Sequence, residues 1–268
     1  MRRLFALAVG VLAGCASAPA PDARGAHPTI VSLNPCSDAI LAEVADPAQL
    51  LAISFYSHQP RATSMPLAQA RRFRATGGTV EEVLALDPDV VVASTYLAPA
   101  TAHALARLGI RVETVGVAAT VAESEAQVRR LSALAGHPGR GAALVQRIEA
   151  AVAAGRGAGR PVTALVWQAG GIVPGADTLI ARLLANAGFA SHSAARGLGQ
   201  GAYLPLEQVL ADPPQVILAA GGERMLTHPT LRHLAGTRRA TLDPALLYCG
   251  GPTIIRAAAR LAQVRGSL

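Results

Sequence analysis

The chain is predicted to fold as α/β, with two doubly wound lobes of one plan, each a parallel sheet covered by helices, joined by a long helical spine. Three observations predict this. A thirteen-residue pattern occurs once in each half. Apolar, β-branched runs alternate with helical stretches along the chain. A purely helical stretch separates the halves.

The repeat is the strongest of the three. Residues Glu81 to Ala93 read E-E-V-L-A-L-D-P-D-V-V-V-A, and Glu207 to Ala219 read E-Q-V-L-A-D-P-P-Q-V-I-L-A. Seven of the thirteen aligned pairs are identical, at a constant offset of 126 residues. An offset near half the chain implies two units built alike. In each copy a short helix opens on an acidic residue, where the helix dipole favours it. A proline then ends the helix. The runs Val90-Val91-Val92 and Val216-Ile217-Leu218 follow and suit strands buried on both faces of a parallel sheet. In such a layer the helix before a strand starts at that strand's carboxyl edge. Glu81 and Glu207 therefore fall at the edge where α/β proteins bind their ligands and partners.

The other elements follow in order. Strands are expected at Thr29 to Leu33, Leu50 to Ser54, Val90 to Ala93 and Arg111 to Val115, with helices such as Ser37 to Val44 and Ala98 to Leu108 between them. Val121 to Ala154 carries apolar residues at helical spacing, interrupted at His137-Pro138-Gly139, and reads as one kinked helix or two consecutive ones. Later strands are expected at Thr163 to Trp167, Gln215 to Leu218 and Ala240 to Leu242. Helices are expected at Thr178 to Ala187, His228 to Leu234 and Thr253 to Arg265. The resulting division is 28–118 for the first lobe, 119–160 for the spine and 161–268 for the second lobe.

Composition excludes several classes. At 268 residues, 51% hydrophobic and 15% charged, the chain is globular and long enough for two lobes. Its net charge of +7 comes from scattered Arg with aromatics at only 3%, which does not suit nucleic acid. Arg2-Arg3, the apolar run Leu4 to Leu12 and small residues after it read as an export signal over 1–14. Leu12-Ala13-Gly14-Cys15 resembles the lipobox of bacterial lipoproteins, which makes Cys15 a lipidation site and 15–27 a flexible tether. Cleavage after Ala16-Ser17-Ala18 also fits the small-x-small rule. Cys36 and Cys249 remain. Export permits a disulfide between them, and two buried free thiols are the alternative. The seven His are scattered without an i, i+4 pair, so no metal-ion site is expected. No G-x-S-x-G elbow, P-loop or H-E-x-x-H occurs, so no catalytic residues and no enzyme activity are expected.

The order of motifs resembles the class III substrate-binding proteins of ABC importers, which carry cobalamin, ferric siderophores and related chelates. Ile30 to Pro35 resembles the family's opening strand and turn, and Ile53 to Ser57 its first cleft loop. Gly77-Gly78, Glu81 and Leu86 to Val91 resemble its Gly, Glu, Leu-x-Pro-Asp segment, and Leu206 to Leu210 the second-lobe counterpart. Gly175 to Leu179 and Leu183 to Gly188 resemble its later Gly-x-x-Thr segment and leucine-rich helix. The resemblance implies a ligand cleft between the lobes, a periplasmic monomer on a lipid anchor, and no bound cofactor. It also implies docking of Glu81 and Glu207 on Arg residues of a permease dimer that works with an ATPase.

Ligand-binding candidates are the rare aromatics and Arg at strand ends: Tyr56, Trp167, Tyr96, Tyr203, Arg61 and Arg224. His58, Gln168 and Tyr248 lie nearby, Tyr248 also reading as packing against the last helix. An aromatic cleft favours cobalamin and an Arg-rich one an anionic siderophore. Haem with a Tyr axial ligand, or a sensor lipoprotein without transport, are the alternatives.

Overall fold

The computed structural model describes residues 26–221 and 229–268. The segment expected as an export signal, Cys15 and Arg224 lie outside the described residues.

The first half comprises β1 (Ile30–Ser32), α1 (Pro35–Val44), β2 (Leu50–Ser54), α2 (Leu67–Ala70), β3 (Ala75–Thr76), α3 (Val80–Leu84), β4 (Val90–Ser94), α4 (Pro99–Arg107) and β5 (Arg111–Val115). Then come α5 (Val121–Leu134) and α6 (Pro138–Ala154). The second half comprises β6 (Val162–Gln168), β7 (Ile172–Val173), α7 (Leu179–Asn186), β8 (Phe189–Ser191), β9 (Ala202–Tyr203), α8 (Leu206–Ala211), β10 (Val216–Ala220), β11 (Arg238–Thr241) and α9 (Thr253–Gly266).

Two parallel sheets result, ordered β3-β2-β1-β4-β5 and β11-β10-β6-β8. In both, the first strand sits centrally, with β2 and β3, or β8, to one side and β4 and β5, or β10 and β11, to the other. This reversal makes the cleft-forming switch point of doubly wound sheets. The repeat holds in space: β4 and β10 occupy equivalent places, preceded by α3 and α8. β7 and β9 add a small antiparallel pair to the second half.

Strand alternation sorts the apolar residues into three cores. Ile30, Val90 and Val92 of the first sheet and Ala164, Val166, Val216 and Leu218 of the second face a single shared core with α1, α5, α6, α7 and α9. Val31 and Val91 face outward under α3 and α4. Leu165, Trp167 and Ile217 face outward under α8. The halves therefore share one continuous core.

The spine is two helices. Gly136, at φ 81°, ends α5, and the chain turns back. Gly141 lies at the crossing, where a Cβ would stand 1.9 Å from Ser132 Oγ. The bridge itself is α6. Near its start Arg140 pairs with Asp46 at 2.7 Å, and Arg147 pairs with Glu43 of α1 at 3.0 Å. Near its end Val152 accepts from Asn186 of α7 at 2.8 Å. The stretch expected as a helix from His228 to Leu234 contains a 3₁₀ turn, Pro229–His233. The short strands β3, β7, β8 and β9 carry no apolar run of readable length, so the sequence does not announce them.

Candidate ligand cleft and docking surface

Between the two sheets' carboxyl edges lies a cleft of about 530 Å³. Its first wall is made by neighbouring strand ends. Asn34, Pro35 and Cys36 follow β1, Tyr56 follows β2, Ser94 ends β4 and Tyr96 follows it, and Val117 to Ala119 follow β5. The facing wall holds Gln168 at the end of β6, Pro174, Asp177 to Ile180 leading into α7, Gln200, and Leu247-Tyr248.

Tyr56 and Tyr96 are presented by the same device. In Ser54-Phe55-Tyr56 and Ser94-Thr95-Tyr96, the serine Oγ accepts the tyrosine N–H, at 3.3 and 3.1 Å. This local turn stops the strand and exposes the ring. Tyr56 is further braced from below. Asp38 Oδ2 accepts from Ser54 N at 3.0 Å and from the Ser57 hydroxyl at 2.6 Å. Asp38 is fully buried, and burial pushes its carboxyl up to about 8 against the lowering effect of its serine hydrogen bonds. It is therefore protonated at neutral pH. Asn34 caps α1 by accepting from Cys36 N at 2.8 Å, which fixes the wall between the two tyrosines.

On the facing wall the Tyr248 hydroxyl donates to Gln168 Oε1. Partial burial raises the Tyr248 phenol above its usual value, so it stays a neutral donor. Asp177 is the only charged side chain lining the cleft among the described residues, and it is almost fully exposed.

The structure sorts the sequence candidates. Tyr56 and Tyr96 line the cleft. Trp167 does not: it is 7% exposed in the outer core, and its indole N–H donates to Leu204 O at 3.2 Å. Its place near a strand end is right, but strand alternation turns it to the outer face and leaves Gln168 at the edge. Tyr203 is exposed on β9 and lies over Gly171, where a Cβ would stand 2.6 Å from its ring; it is not part of the cleft lining. Arg61 is exposed and likewise outside it. His58 is structural, its Nε2 3.1 Å from the carbonyls of Ala70 and Phe73. Tyr248, read from the sequence as near the site or as packing against the last helix, lines the cleft, and so does Cys36, which the sequence offered only as a disulfide or buried-thiol candidate. The Ser-x-Tyr pattern was the available signal for the other two.

Cys36 and Cys249 are joined as a disulfide.

Glu81 and Glu207 both sit exposed in the first turns of α3 and α8. Their neighbours differ. Glu82 accepts from the Thr76 hydroxyl at 2.7 Å and from Gly78 N at 3.1 Å, while its own N–H is capped by Thr79. Thr76 and these backbone donors hold the Glu82 carboxyl below its usual range. This capping box occupies Glu82 and leaves Glu81 pointing out.

The sequence profile of the family described as periplasmic binding protein matches residues 30–242, and the chain belongs to that family. Within it, the structural neighbours are class III binding proteins of ABC importers. Such proteins bind small ligands, work with an ABC permease and ATPase, and act in the periplasm. They carry ligands rather than cofactors.

Solved structures share the fold. The apo periplasmic heme-binding protein RhuT from Roseiflexus sp. RS-1 matches with a TM-score of 0.72 at 22% identity, over 89% of this chain and 98% of that one. The vitamin B12 binding protein BtuF of Vibrio cholerae matches with 0.70 at 20%, over 89% and 96%. A periplasmic heme-binding protein from Pseudomonas aeruginosa matches with 0.64 at 24%, over 88% and 92%. At these identities the likeness is one of fold. No curated protein sequence matches the chain.

Proposed function

We propose that the chain captures a corrinoid of the cobalamin type and delivers it to an ABC permease. The observation that carries this reading is the chemistry of the cleft: three tyrosines with Asn34, Gln168 and Gln200, and no Arg in the lining among the described residues. Tyrosine faces pack on a flat macrocycle, and their hydroxyls and the side-chain amides suit a rim of neutral amides. A polyanionic ferric chelate calls for paired guanidinium groups, and none lines the cleft among the described residues. The vitamin B12 binding protein among the structural neighbours is consistent with the reading.

Calorimetric titration of the chain from Ala16 onward with cyanocobalamin, haemin and a ferric tris-catecholate tests it. Saturable binding of cyanocobalamin alone, weakened about tenfold or more by Tyr56→Ala, is the expected result. Tight binding of the catecholate and none of cyanocobalamin would overturn it.

Haem is the second reading, favoured by Tyr56, which stands half-exposed in the cleft wall where an axial phenolate is needed. A haemin complex whose tyrosinate charge-transfer band disappears in Tyr56→Phe would establish it in place of the corrinoid.

Delivery rests on the matched carboxylates. Glu81 and Glu207, exposed at equivalent places of a pseudo-two-fold molecule, face a two-fold permease as two like contacts. The chain acts as a monomer, which light scattering checks, held at a membrane through lipidated Cys15. Cys15→Ser should move it from the membrane fraction to the soluble one.

A further inference from the structure

We propose that the Cys36–Cys249 disulfide is a positioning element of the ligand cleft: it fastens the Leu247-Tyr248 wall to the Asn34–Cys36 wall and holds Tyr248 where cargo is captured. The proposal deepens the capture reading and rests on the cleft being the capture site.

Cys36 lines the cleft at the start of α1, and Cys249 directly follows Tyr248, which lines it from the other side. The bond thus joins the two walls across 213 residues of chain. The turn after Cys249 is shaped for close approach. A Cβ at Gly250 would stand 2.2 Å from Ser124 Oγ of α5. A Cβ at Gly251 would stand 2.6 Å from Ile40 Cγ1 of α1, and Gly251 has φ 60°. Glycine is required at both positions, one for room and the other for room and conformation.

The turn is then tied by hydrogen bonds to α5 and to the first half. Gly251 N donates to Ser124 Oγ at 2.6 Å, and Thr253 Oγ1 donates to Ser64 O at 2.9 Å. Ser64 Oγ in turn donates to Pro35 O at 2.5 Å, beside Cys36. The contacts form a closed circuit that includes the disulfide.

Two successive glycines give this turn large backbone freedom when it is released. The disulfide removes that freedom at the residue next to Tyr248. The Tyr248 ring is then held from both ends, its backbone by the disulfide and its hydroxyl by Gln168. A wall fixed before binding loses less entropy when cargo arrives.

The test compares the wild-type chain with Cys36→Ser/Cys249→Ser, Tyr248→Ala and the triple variant. Hydrogen exchange without cargo is the first readout. In the cysteine-free chain, exchange should rise about tenfold or more over 246–252 and 33–36 and stay unchanged in β4 and β10. Cyanocobalamin affinity is the second. The cysteine-free chain and Tyr248→Ala should each bind about tenfold more weakly, and the triple variant no more weakly than the worse of the two.

Multiplying losses in the triple variant would overturn the proposal, because the disulfide would then act independently of Tyr248. So would unchanged exchange and affinity without the disulfide. If the cysteine-free chain does not fold, the folded wild-type protein is reduced instead with dithiothreitol. Two electrons and two protons then pass to the sulfurs, leaving two thiols and the reagent's cyclic disulfide. The same two readouts decide. If wild-type protein binds no cyanocobalamin, the corrinoid reading falls, while the exchange measurement still accepts or rejects the fastening of the two walls.

Discussion

The two halves share a framework and differ in what they place at its rim. β2-β1-β4-β5 and β8-β6-β10-β11 have the same order, and α3-β4 and α8-β10 stand 126 residues apart in sequence at equivalent places in space. In the first half, two of these strand ends turn a tyrosine into the cleft through a serine. In the second, β6 ends in Trp167 and Gln168, and the tryptophan goes to the outer core. What the halves hold in common is a parallel sheet with an exposed carboxylate at its edge. The cleft walls differ between the halves.

Trp167→Ala against Tyr96→Ala separates the halves most strongly. Removing the buried indole should cost about 3–5 kcal/mol of stability in a urea melt. Tyr96 is 82% exposed, so its loss should leave the melt within about 0.5 kcal/mol while weakening cargo binding. Equal melts would remove Trp167 from the core that α8 covers.

The halves should also answer pH in opposite directions. Asp38 binds an extra proton when folded, because its carboxyl sits near 8 instead of its ordinary value. Its contribution is complete below about pH 4 and is lost as pH rises toward 8, at roughly 1 kcal/mol per pH unit. His192 in the second half is buried, donates from Nε2 to Asp212 O at 2.8 Å, and has no partner at Nδ1. Burial lowers its pKa, so the unfolded chain takes up more protons as pH falls below about 6.5, and stability falls with it. Asp38→Asn should flatten the alkaline limb of a stability profile and His192→Gln the acid limb. A profile unchanged by Asp38→Asn would count against a neutral, buried Asp38.

Docking gives a third contrast. Glu81→Ala and Glu207→Ala should each lower uptake several-fold in cells carrying the cognate permease, with cargo affinity unchanged. Glu82→Ala should instead lower the melting temperature, since it opens the α3 cap. The smallest effect is expected at Tyr203, which packs over Gly171 away from the cleft. Tyr203→Ala should leave cargo affinity within about twofold, and a larger loss would extend the cleft to β9.

Much of this was legible in the chain itself. Hydrophobic runs located the main strands, because a strand buried on both faces needs an unbroken apolar run, and prolines marked where the helices before β4 and β10 stop. The repeat paired Glu81 with Glu207, and the motif order gave the family. The Thr-x-x-Glu spacing after Gly78 also held the distinction between Glu81 and Glu82, since a capping box depends only on local geometry. Ser-x-Tyr turns were equally local.

Near neighbours and periodicity thus suffice for the α/β class, the two-fold plan and the family. Long-range packing was needed for the rest: which strand-end aromatics face the cleft, that the spine folds back on itself, that Cys36 meets Cys249, and that Tyr248 completes the wall. Each of these depends on residues far apart in the chain or on which face of a sheet a side chain takes. One residue of register reverses that face, and neither composition nor spacing fixes it.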